Sequence, residues 1–412
     1  MQLRSAHRRR LGPEAALVAA VGIFIAATAV ACGGHQARRP AANGLRRDGP
    51  GPLAPPLPVD PTQTTVVPGT TGGPWRSFTP GPLATRNEVV AVWTGKEMLV
   101  AGGVLVQTEQ PVNDGAAYDP ATDRWRPIAA RPVPGRVLAG VWTGKDMIVW
   151  GSAGFVLTGP LSDGMAYDAA TDAWRPIAAN PFPFPAEPPI VAWTGSRVLL
   201  WPGREASTPA RPGALYDPVG NRWSAMPPVT LPGIVAMVGG VWTGKVFAVL
   251  ASGTPPNGGP VQPQLLLFDP AAGTWKAAAP GGNLAGGDQQ VAWSGAEVFV
   301  FDSGGGHAYA PALGTWRAAA GPALTIGPGV FRSATLTGNR LVARVADPAV
   351  VVDAYDRAAD RWLPSGPPPG LPSSVDGAFV STGSSVITWG IPQNSSELQL
   401  GTPNAAWIWS PP

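Results

Sequence analysis

Cysteine, histidine and charge are all scarce in this chain. The single cysteine, Cys32, excludes an intramolecular disulfide and a cysteine-built metal site. Only one of the 3 histidines, His307, lies beyond residue 73, which argues against a histidine-rich zinc site. Charged residues make up 13% of the 412 residues, but hydrophobic residues reach 44% and there are 17 tryptophans, so the chain is too apolar to be disordered. Long stretches free of helix breakers are missing too. With 53 glycines and 50 prolines, a helical bundle or a doubly wound α/β enzyme is disfavoured. What remains is an all-β chain rich in turns.

The formal charge of +3 points at first to a nucleic-acid partner. Its distribution argues against one. Residues 1–60 carry eight arginines against Glu14, Asp48 and Asp60, so the remainder is slightly acidic, with 21 basic and 23 acidic residues. A slightly acidic body gives no electrostatic footprint for nucleic acid.

The first residues read as an address. Arg4, Arg8, Arg9 and Arg10 precede an uncharged apolar run from Ala15 to Ala31. This is the layout of a secretory signal over residues 1–31. The small residues Ala29-Val30-Ala31 before Cys32 resemble a bacterial lipobox, although Ala29 stands where Leu or Val is usual. The resemblance implies lipidation of Cys32 and attachment to a membrane. An ordinary signal peptide cut after Ala31 and an uncleaved anchor are the alternatives, and all three export the body of the protein. Residues 32–73 are rich in Pro, Gly, Thr and Arg, without apolar periodicity, and are expected to form a flexible tether.

Residues 74–412 are one repeat, seven times over. A first phrase recurs as VWTGKEMLV from Val92, VWTGKDMIV from Val141, AWTGSRVLL from Ala192, VWTGKVFAV from Val241 and AWSGAEVFV from Ala292, with weaker copies at Leu336 and Ser381. A second phrase follows, with an aromatic residue always seven positions before a tryptophan: Tyr118–Trp125, Tyr167–Trp174, Tyr216–Trp223, Phe268–Trp275, Tyr309–Trp316 and Tyr355–Trp362. Each repeat predicts four strands. Thr-Gly turns the first strand into the second, because Gly accepts the positive φ of a tight hairpin. Asp-Pro starts the turn from the third strand to the outer one.

Four short strands at a period of 41–52 residues resemble a β-propeller blade. The glycine pair Gly102-Gly103, the aromatic residue and the spaced tryptophan resemble the kelch repeat, whose members include the galactose oxidase central domain and the sialate mutarotases. The expected fold is an all-β, seven-bladed kelch-like propeller. The seventh repeat ends at Trp407-Ile408-Trp409 without an outer strand, whereas Trp75-Arg76 matches Trp125-Arg126, Trp174-Arg175 and Trp316-Arg317. Residues 74–79 are therefore expected to complete the last blade and close the ring.

Every tryptophan occupies a repeat position, so inter-blade packing is the expected role of the aromatic residues rather than sugar stacking. The copper chemistry of galactose oxidase needs two His, two Tyr and a Cys, and this domain has one His and no Cys. No nucleophile elbow, P-loop or dinucleotide fingerprint occurs. No catalytic residue, metal or cofactor is therefore assigned. The repeated Asp119, Asp168, Asp217, Asp269 and Asp356 read as turn caps rather than calcium ligands.

An up-and-down blade places the Thr-Gly and Asp-Pro turns on one face, and the variable loops and inter-blade links on the other. Binding residues favour variable loops on a rigid scaffold. The binding candidates are Arg136, Phe155, Phe182, Phe184, Arg204, Arg211, Gln289, Gln290 and Arg332. Polar candidates for the channel are Arg86, Glu88, Asp288 and Asp376. The expected function is an exported, lipid-anchored envelope module that binds a protein or glycan. The alternatives are a metal-independent sugar isomerase or hydrolase using channel carboxylates, as the sialate mutarotase resemblance implies, and a structural envelope component.

Overall fold

Turn chemistry cuts the chain into short strands. In the first blade Thr94 accepts from the amide of Glu97 through its hydroxyl, and Gly95 takes a φ of 98°. The same geometry recurs at Thr143, Thr194, Thr243, Ser294 and Thr382. Asp119, Asp168, Asp217, Asp269 and Asp356 each accept backbone amides two or three residues on, which starts the turn into the outer strand.

The computed structural model describes residues 74–411, apart from 133–134, 153–162, 183–188, 203–205, 208–212, 230–233, 255–261, 280, 282–289, 303–304, 321–330, 338–339, 347–349, 365–373 and 394–403. The chain divides into two units, Met1–Arg47 and Asp48–Pro412, and every described residue belongs to the second. The expected signal segment, Cys32 and the expected tether lie outside the described residues.

The described residues form strands and no helix. Seven antiparallel sheets follow one another, with strands in sequence order from the inside out, except that Ala206–Ser207 adds a fifth strand to the inner edge of the fourth and Trp75–Ser77 supplies the outer strand of the seventh. Their innermost strands are Val90–Trp93, Arg136–Trp142, Ile190–Trp193, Ile234–Trp242, Gln290–Trp293, Phe331–Thr337 and Ser374–Ser381. Each touches the next, and Ser374–Ser381 returns to Val90–Trp93, so the ring is closed. The chain is a seven-bladed β-propeller.

Closure joins the two ends of the propeller. Trp75–Ser77 pairs antiparallel with Ala405–Trp409, with Trp75 opposite Trp409. That pair occupies the same cross-strand position as Tyr118 opposite Trp125 and Tyr167 opposite Trp174. The aromatic pair of the repeat thus extends to all seven blades, the last formed by residues from opposite ends of the domain.

A second set of contacts joins blade to blade. The indole of each outer-strand tryptophan from Trp125 to Trp362 donates to a carbonyl just past the outer strand of the preceding blade, at 2.7–2.9 Å. The acceptor is the residue four positions after that blade's own tryptophan: Thr79, Ala129, Ala178, Pro227, Ala279 or Ala320. In four of these joints the same residue also donates its amide back, to Asp123, Asp172, Asn221 or Asp360. Those four side chains also accept from the hydroxyls of Tyr118, Tyr167, Tyr216 and Tyr355. All four take a positive φ, which Asp and Asn tolerate best among residues with side chains. Where the acceptor is Pro227, which has no amide hydrogen, Gly273 stands in place of the Asp and Phe268 in place of the Tyr.

The second-strand tryptophans complete the packing. Trp150, Trp201 and Trp389 are fully buried, and each meets the outer tryptophan of the next blade: Trp223, Trp275 and Trp125, respectively.

Candidate functional site

The two faces of the ring are built differently. The turn face repeats one self-satisfied motif from blade to blade. The loop face is uneven because blade height alternates through the first six blades, the seventh having an eight-residue inner strand. The inner strands of blades one, three and five have four residues each, whereas those of blades two, four and six have seven, nine and seven. The longer strands run on toward the loop face and carry a register shift at the same place: Val137/Ala139, Met237/Gly239 and Phe331/Ser333. Such bulges re-aim a strand and occur often beside binding sites. Arg332 is the bulge residue of the sixth blade.

The link into the first blade builds the best-defined part of this face. Residues Arg86–Asn87 leave the ring-closing segment and pair with Val104–Leu105, the start of the first blade's variable loop. Glu88 follows with a φ of 54°. A glutamate has no local hydrogen-bonding reason to adopt this left-handed conformation, so its backbone is held there by the surroundings at some cost. Its carboxylate receives Arg136, the first residue of the second blade, through two bonds: Nε at 2.6 Å to one oxygen, and Nη2 to the other. The sequence candidates Glu88 and Arg136 are thus brought together across a blade junction.

Arg86 is 1% exposed. Its guanidinium is fully engaged: Nη1 and Nη2 donate to Asp114 at 2.5 and 3.0 Å, Nη1 also to the Gly102 carbonyl, and Nε to the Ala84 carbonyl. This arginine therefore organises the loop instead of lining an open channel. Asn113, next to Asp114, accepts the Arg131 amide at 2.7 Å and returns its own amide group to the Arg131 carbonyl at 2.8 Å. Arg131 donates through Nη2 to the Gly135 carbonyl, immediately before Arg136. One connected set, Arg86, Glu88, Asp114, Arg131 and Arg136, spans the first two blades on the loop face.

The other candidates are more scattered. Phe182 is half-buried against the core between the second and third blades, and its amide donates to Asn180. Gln290 opens the inner strand of the fifth blade, opposite Phe301. The backbone of Asp376 lies in the inner strand of the seventh blade, opposite Ile391. That blade's inner two strands touch residues 86–87, so Asp376 belongs to the same sector of the ring as Glu88. Phe155, Phe184, Arg204, Arg211, Asp288 and Gln289 lie outside the described residues.

Sequence reasoning missed Asp114 and Arg131. A signal for Asp114 exists: Asp-Gly opens the third strand of both the first and second blades, as Asp114-Gly115 and Asp163-Gly164. Arg131 stands six positions after Trp125, where other blades place Gly81, Asn180, Val229 and Gly281.

Among the described residues no three His, Cys, Asp or Glu side chains come together as a metal site. The fold defines the class as a seven-bladed β-propeller. No family model matches the chain, and no curated protein matches it.

Proposed function

We propose that this propeller is an exported binding module of a bacterial envelope, recognising a protein or glycan through its loop face. The observation that carries the reading is the contrast between the faces. The turn face repeats the same turns and ion pairs from blade to blade, whereas the loop face gathers a non-repeating set of charged groups and a strained glutamate at one blade junction. Polar groups of that kind on a rigid frame are what recognition needs. The repeat belongs to the kelch type on its glycine pair and its aromatic spacing. The lipobox-like Ala29-Val30-Ala31-Cys32 would tether the module to the outer side of a membrane. Enzymatic use of Glu88 as a base is the weaker reading, because its carboxylate is already committed to Arg136.

The test is affinity capture from envelope extract with the full chain as bait, with and without protease treatment of the extract. Combined replacement of Phe182, Phe184 and Arg204 by alanine is expected to abolish capture, while replacement of Lys96 and Lys245 on the turn face leaves it intact. Capture that ignores the loop-face variants overturns the reading. Survival of capture after proteolysis identifies a glycan, and its loss identifies a protein.

A further inference from the structure

Arg131 is 7% exposed, and its Nε is buried without a hydrogen-bond partner. Among the described residues its one side-chain bond is the Nη2 contact to the Gly135 carbonyl. Among the described residues no carboxylate pairs with it. Burial alone acts on this guanidinium, pushing its pKa below the ordinary arginine value. Arg86 provides the comparison within the same sector: equally buried, it has a carboxylate and two carbonyls around it.

The repeat does not require a cation at position 131. Gly81, Asn180, Val229 and Gly281 fill the equivalent place in other blades. Arg131 is therefore an addition to the scaffold, and a costly one, since a buried cation without a counter-charge is unfavourable. At the junction of the first two blades, three guanidiniums, from Arg86, Arg131 and Arg136, face two carboxylates, from Asp114 and Glu88. Among the described side chains of this junction one positive charge is left over.

We propose that this junction is a carboxylate-binding subsite, in which Arg131 receives the carboxylate of a ligand and Glu88 holds Arg136 until the ligand displaces it. The left-handed backbone of Glu88 fits this role, because releasing Arg136 lets the segment relax. The shared chemistry is a carboxylate, carried either by a uronic acid or by an acidic amino acid. The inference rests on the loop-face reading and deepens it.

Calorimetric titration of the full chain at low ionic strength tests it. The probes are D-glucuronate against D-glucose, and N-acetyl-L-glutamate against N-acetyl-L-glutamine. At least one carboxylate is expected to bind with its neutral counterpart silent, and which one binds identifies the source. Arg131→Asn copies the residue that the second blade already tolerates at this position, and it should weaken carboxylate binding by about tenfold or more. Glu88→Gln should tighten it several-fold by freeing Arg136, which keeps the test decisive should Arg131→Asn not fold. Absence of carboxylate binding by the unaltered chain overturns the proposal, as does binding that both variants leave unchanged. If the carboxylates fail to bind while loop-face variants still lose the captured partner, the subsite falls and the loop-face reading stands. If the carboxylates bind while capture ignores the loop face, the reverse holds.

Discussion

At the residue scale the joints between blades depend on a few protonation states. Hydrogen bonds from Tyr167 and Tyr355, respectively, hold the carboxyls of Asp172 and Asp360 below the usual carboxylate range, helped by backbone amides of the preceding blade. A depressed folded pKa means that this stability is present above the unfolded value of about 3.9 and is lost as the pH falls through the folded value. Burial, and then the same hydrogen bonds, push the phenols of Tyr167 and Tyr355 up to about 12. Their contribution is complete below pH ~10 and is lost as the pH rises through the folded value. Thermal unfolding followed across pH should therefore show a plateau at neutral pH with a fall on each side. Asp172→Asn and Tyr167→Phe should flatten the acid and alkaline limbs, respectively. Glycine matters at Gly213, where an added Cβ would lie 2.5 Å from the Trp201 ring and 2.6 Å from the Met226 sulfur. Gly213→Ala should cost about 1–3 kcal/mol by overpacking, read as a lowered denaturant midpoint with an unchanged slope.

At the scale of elements, the closing segment combines two tasks. Residues Trp75–Ser77 cover the edge of the last blade, and the same segment continues through Phe78 to Arg86 and Glu88. Phe78 is buried and stacks on Tyr118 of the first blade at 4.2 Å, so it ties the seam on its far side. Phe78→Ala should lose about 3–5 kcal/mol, measurable by chemical denaturation. Deletion of residues 74–79 should lower the melting temperature sharply or cause aggregation, because it bares the strand Ala405–Trp409. An unchanged melting temperature after that deletion would contradict the topology. The strand pattern itself was legible in sequence. The Tyr–Trp and Phe–Trp spacing of seven is the cross-strand pair in every blade that holds both partners on one hairpin. The register shifts before Ala139, Gly239 and Ser333 were not legible, because one extra residue leaves no mark in a motif already weak at that end of the strand.

At the scale of the molecule, the ring turns distant residues into neighbours. Ser410 donates its amide to the Pro74 carbonyl at 2.7 Å, so the two ends of the propeller lie side by side. A circular permutant that joins residue 411 to residue 74 by a short Gly-Ser linker, with new ends in the exposed Gly144-Lys145 turn, should keep the fold. Its melting temperature should stay within a few degrees of the parent, since the closing pair becomes a local hairpin. Circular dichroism and calorimetry would check both. The sequence alone determines the repeat, the blade count, the turn chemistry and the strand that closes the ring, because each is written in contacts between residues a few positions apart or in a motif copied from blade to blade. Only the tertiary structure decides the site. Arg86 meets Asp114, and Glu88 meets Arg136, across links and loops that share no repeat. Arg131 stands apart only once its burial, and the absence of a paired carboxylate among the described residues, are visible. Charge balance inside a junction depends on which chains the ring brings together, and local spacing carries no record of that.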